Sequence, residues 1–139
     1  MRIIETLEQK VGLPFKIGPS ASHVNSVPPS VTHHIAQGRL WHLVAWSDEE
    51  SGTVGLWHKG SSILLHRGQL TGIAVMFMRP AKGSGWVALE AIVQAQPSTV
   101  SLLQTIYNPD ALAWLLQHQS QLSRVFGHDI AVYDGGSDY

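Results

Sequence analysis

The sequence contains no cysteine. That removes disulfides, thiolate zinc sites and cysteine nucleophiles together. Charge is also scarce: Asp, Glu, Lys and Arg make up 14% of the chain, against roughly 25% in a typical soluble domain. Ser, Gln, Gly, His and apolar groups must therefore cover much of the surface. The formal net charge is -1, so there is no overall attraction to nucleic acid or to an anionic membrane. Long apolar runs are missing too. The stretch from Gly72 to Met78 falls far short of the roughly 20 residues that span a bilayer. Glu5 and Glu8 stand near the start, where a signal peptide needs an unbroken apolar segment. Together these absences predict a soluble cytoplasmic protein with no membrane partner, and nucleic acid is not expected as a partner either.

What is present is enough apolar material for a core. With 139 residues, 44% of them hydrophobic, the chain is too apolar to be disordered and has the size of one domain, so residues 1–139 read as a single unit. Ile3, Ile4, Leu7 and Val11 recur at spacings of three and four, and Gly12 and Pro14 follow as stop signals. This pattern predicts a helix over about 2–11. Residues 14–31 hold Pro14, Pro19, Pro28 and Pro29 among serines and predict an extended connection. Beyond it, short apolar runs alternate with glycine-containing turns. Their spacing predicts antiparallel strands over 32–36, 39–47, 53–59, 62–67, 71–79 and 86–95, joined as a meander.

Pro97, Ser98 and Thr99 can cap a short helical stretch through Tyr107, and Asn108-Pro109-Asp110 starts another helix that Gly127 ends. Ile130 to Tyr133 alternates as a last strand before a polar tail at 135–139. The predicted fold is α+β: an antiparallel meander sheet of five to six strands, with an N-terminal helix and a C-terminal helical pair packed on one face. Leu115, Leu116 and Leu122 are expected to pack on the face that carries Val87, Leu89 and Val93.

The common catalytic and phosphate-binding signatures are absent; Gly83-Ser84-Gly85 lacks the spacing of a nucleophile elbow. His42, His58 and His66 fall on separate candidate strands. Imidazoles suit divalent metals, but no pair has a spacing typical of a site, so no metal and no cofactor is assigned. Glu90 interrupts the apolar run Trp86 to Val93. A carboxylate buried there would have a raised pKa and could act as a general acid or base beside one of those histidines. Strand parity instead puts Glu90 with Trp86, Ala88 and Ile92, opposite the face of Val87, Leu89 and Ala91.

Arg39, Lys59, Arg79 and Lys82 fall at one end of the predicted meander, where they form a weak candidate anion site. Strands 71–79 and 86–95 are apolar on both faces, and two helices cannot cover both sides of such a sheet. Trp41, Trp57, Met76, Met78 and Trp86 are therefore the candidate interface residues. The favoured function is a non-catalytic protein–protein interaction or assembly subunit, a homo-oligomer or part of a complex, acting through an apolar sheet face. The alternative is a small enzyme or ligand-binding protein with a Glu/His pocket between the sheet and the C-terminal helix.

Overall fold

Two three-stranded meanders form the frame, and each is widened by strands from elsewhere in the chain. The computed structural model describes residues 2–7, 13–18, 27–36, 43–94 and 98–137. The first sheet has the order β1 (Arg2–Leu7), β3 (Leu43–Asp48), β4 (Thr53–His58), β5 (Ser61–His66), all antiparallel. In the second, β2 (Lys16–Ile17), β8 (Ser98–Ile106), β7 (Trp86–Val93) and β6 (Leu70–Arg79) pair antiparallel, and β9 (Ile130–Ser137) joins β6 in parallel. Turn chemistry closes the hairpins as the sequence implies. Lys59 and Gly60 form the two-residue loop between β4 and β5 with φ of 49° and 82°, the doubly positive pattern that suits the twist of a hairpin. A single 3-10 turn at Arg67–Gln69 separates the two meanders.

Three helices complete the α+β architecture: α1 (Pro29–Ala36), α2 (Pro109–Gln117) and α3 (Gln119–Phe126). Asn108 caps α2, its Oδ1 accepting from the backbone N–H of Asp110 at 2.9 Å and of Ala111 at 3.1 Å, so two otherwise unpaired donors are satisfied. Gly127, at φ 75°, ends α3 in the left-handed region. α2 contacts β6 and β7, while α3 contacts β1 and β3 of the first sheet and β9 of the second. The pair therefore sits between the sheets. Across this layer Leu43, Leu56 and Ile63 share one core with Val75, Leu89, Leu115, Leu122 and Phe126, and an Arg124–Glu5 ion pair ties α3 to β1.

The other face of the first sheet is covered separately. Val44 and Trp46 pack there with Val31 of α1, flanked by Ile35, Trp57 and Leu64, and His34 of the helix hydrogen-bonds Thr6 of β1 at 2.6 Å. The layers run α1, first sheet, α2 with α3, second sheet.

Several local expectations are corrected by these placements. Residues 2–7 are a strand and not the start of a helix over 2–11: Ile3 and Ile4 point to opposite faces, each face is covered, and a doubly buried strand imitates helical spacing. The N-terminal helix is α1 instead, in place of a strand at 32–36, and it takes up the end of the connection expected over 14–31. Pro29 opens it, where a proline costs no hydrogen bond. Residues 98–106 form β8 and not a helical stretch; the bulge facing Leu89 and Glu90 leaves both Leu102 and Leu103 buried, which hides the alternation. β9 runs into the expected polar tail as far as Ser137. Leu116 is 38% exposed and outside the leucine core.

Candidate functional site

The free face of the second sheet is set by parity. Val87 and Leu89 of β7 are buried against the helices, so Trp86, Ala88 and Glu90 point the other way, beside Met76 and Met78 of β6 and Gln104 and Ile106 of β8. Tyr133 of β9 stands next to Met76. Trp86 is 39%, Tyr133 54% and Ile106 65% exposed. Among the described residues no helix lies over this face.

A groove of about 590 Å³ runs along it, lined among others by Pro14, Lys16, Trp86, Glu90, Gln104 and Ile106. β7 and β8 supply its floor, and β2 brings Lys16 opposite Gln104. Glu90 is half-buried, and burial pushes its carboxyl above the ordinary carboxylate range, because the charged form loses hydration. An apolar trough with one poorly hydrated carboxylate suits an apolar group that carries a positive charge. No histidine is among its described lining; the other ionisable side chain there is Lys16.

The histidines are elsewhere. His58 is buried on the inner face of β4, and His66 is exposed at the end of β5 on the opposite face of the first sheet. Neither shares an element with Glu90, and His42 lies outside the described residues. No group of three His, Cys, Asp or Glu side chains that could hold a metal ion occurs among the described residues.

The candidate cations are divided between the sheets. Lys59 occupies the β4–β5 turn, whereas Arg79 and Lys82 belong to the end of β6 and the loop after it; Arg39 lies outside the described residues. Arg79 is committed within the fold. Its Nη1 donates to both Asp134 oxygens at 2.8 Å, and its guanidinium carbon lies 5.0 Å from the Phe77 ring centre. Hydrogen bonding to Arg79 holds the Asp134 carboxyl below its ordinary value.

Of the candidate interface residues, Met76, Met78 and Trp86 come together on the free face. Trp57 instead packs in the cluster beneath α1, and Trp41 lies outside the described residues. Sequence reasoning missed Lys16, Gln104 and Ile106. Their strands were read as a proline-rich connection and a helix, although the β-branched Thr105 and Ile106 favour a strand.

No family model, curated protein or solved structure matches the chain. Among the described residues no helix is long and apolar enough to cross a membrane.

Proposed function

We propose that the chain is a non-catalytic interaction protein whose free second-sheet face docks a protein partner. The observation that carries this is an asymmetry: α1 covers the outer face of the first sheet, while the corresponding face of the second carries Met76, Trp86, Ile106 and Tyr133 with no described element over them. An apolar patch of this kind on a chain so poor in charge is typical of a recognition surface. The groove selects a segment with apolar side chains to lie between Trp86 and Ile106 and a Lys or Arg to meet Glu90. A burial-destabilised carboxylate gains most from such a partner, because the bound cation offsets its desolvation. The absence of cysteine favours the cytoplasm as its compartment.

A photo-cross-linking side chain at Ile106, activated in native cell extract, tests the docking. A discrete protein adduct is expected, lost in the Trp86→Asp background and absent when the probe stands at exposed Gln94. An adduct insensitive to Trp86→Asp, or none at all, overturns the proposal.

A second reading rests on the groove itself, where Trp86 and Ile106 line the same space as the half-buried Glu90: that space would hold a small amphiphilic amine. It predicts that such an amine protects the Ile106 probe from reaction and that Glu90→Gln abolishes the protection.

A further inference from the structure

β9 closes one side of the second sheet and is paired only along its β6 side among the described residues. β9 carries a bulge at Gly135 and Gly136, after Asp134, so its regular ladder with β6 covers 130–134. β9 spans 8 residues without Lys or Pro, and Val132 and Tyr133 are 44% and 54% exposed. At the other edge β2 is cut to 2 residues. In the first sheet, β1 is held by α3 through Arg124 and Glu5, and β5 is flanked by β2. The largely exposed apolar stretch at 130–133, without Lys or Pro, is a template for another strand.

We infer that β9 pairs with β9 of a second copy of this chain, antiparallel about a two-fold axis near Val132. Charge is compatible with self-pairing. Asp134, the one ionisable carboxylate in the ladder, is neutralised within its own chain by Arg79, and an axis near Val132 places the two Asp134 residues toward opposite ends. Parity adds the apolar complement: Val132 and Tyr133 point to opposite faces, so one two-fold axis buries part of both in both copies. Joining at β9 makes one sheet of the two second sheets, and their free faces become continuous through Tyr133 and Met76. This pairing shares with the outer-face docking only the premise that the chain works in an assembly; it uses a different surface.

The absence of native cysteine makes the test direct. Single cysteines are placed in turn at Ile130, Ala131, Val132, Tyr133 and Asp134 of the full chain and exposed to a mild oxidant, while light scattering follows the cysteine-free protein over a hundredfold range of concentration. A dimer is expected, with one position among Ala131, Val132 and Tyr133 cross-linking at least about tenfold faster than its neighbours, since only residues facing each other across the axis meet disulfide geometry. Val132→Lys and Ala131→Lys, both at exposed sites, are each expected to give a folded monomer by circular dichroism and scattering. A monomer at all concentrations, or equal cross-linking at all five positions, overturns the pairing. A dimer that survives both lysine variants but dissociates on Trp86→Ser also overturns it, and in that case the outer-face docking stands alone.

Discussion

Gly55 is the position at which the smallest chemical change should have a large effect. It lies on β4 between Trp46 of β3 and Leu64 of β5, and the Trp46 ring lies across it in the space a side chain would fill. A methyl group on Gly55 would stand 2.5 Å from Trp46 Cζ2 and 2.6 Å from Cη2, and would also overlap the Ile63 carbonyl oxygen. The carbonyl belongs to the ladder and cannot retreat without loosening β4 from β5. Trp46 is fully buried beneath α1, and its indole N–H donates to Thr53 at 3.3 Å. Overpacking of this kind costs about 1 to 3 kcal/mol, and losing the indole hydrogen bond adds about 1 kcal/mol. Gly55→Ala should therefore destabilise the protein by about 2 to 4 kcal/mol, a large share of the roughly 5 to 15 kcal/mol of a typical domain.

Urea unfolding followed by circular dichroism should show the midpoint falling by about 1 to 2 M at unchanged slope. Gly52→Ala is the control. It sits at φ 68° with nothing within 4 Å, so it should lose only about 1 to 2 kcal/mol to left-handed backbone strain. With Trp46→Ala in the background, the cost of Gly55→Ala should shrink by more than about 0.5 kcal/mol, the sign of direct coupling. A Gly55→Ala loss below about 0.5 kcal/mol would refute the account of how Trp46 is seated.

Other expectations follow from the same packing. Leu115→Ala should cost about 2 to 5 kcal/mol in denaturant unfolding because the side chain is fully buried, whereas Leu116→Ala, at a 38% exposed site, should change stability by less than about 0.5 kcal/mol; similar costs for the two would mean that α2 is rotated on the sheet. Asn108→Ala removes the cap of α2 and should cost about 1 kcal/mol, with Asn108→Asp retaining most of the stability. For Glu90, whose folded pKa is raised by burial, the folded state binds the proton more tightly than the unfolded chain does, so stability falls as pH rises from the ordinary carboxylate range through the raised value and is constant above it. Glu90→Gln should thus stabilise the protein at pH 8 relative to wild type and lose that advantage in acid; destabilisation at pH 8 would show instead that the carboxylate is paired with a cation.

The legible parts of the fold are those where one chemical signal has one structural solution. Asn108-Pro109 and Gly127 bracket the C-terminal helices because capping and left-handed stops have few alternatives, and Lys59-Gly60 fixes its hairpin for the same reason. β1 and β8 misled because burial on both faces, or a bulge, erases the two-residue alternation that distinguishes a strand. The division into two sheets was not readable either. Arg67–Gln69 looks like another hairpin turn, and only the packing of α2 and α3 between the meanders separates them. At the site, alternation along β7 was sufficient to place Glu90 with Trp86 on the face away from the helices. The groove needed β2 and β8, whose identity depends on tertiary pairing.

The parallel docking of β9 on β6 has a consequence for the order of folding. Each antiparallel pair within the two meanders closes a short loop, but Ile73 meets Ile130 only after β7, β8, α2 and α3 have been threaded between them. Loop-closure entropy opposes that contact most strongly, and it is offset only when α3, which touches β9 as well as the first sheet, is already in place. β6 is therefore the rim of its sheet through much of folding, and its apolar ladder Ile73 to Phe77 is open to mispairing during that interval. Slow docking of α2 and α3 would prolong the exposure, so substitutions that loosen the helix pair should raise aggregation during refolding more than their equilibrium cost alone implies.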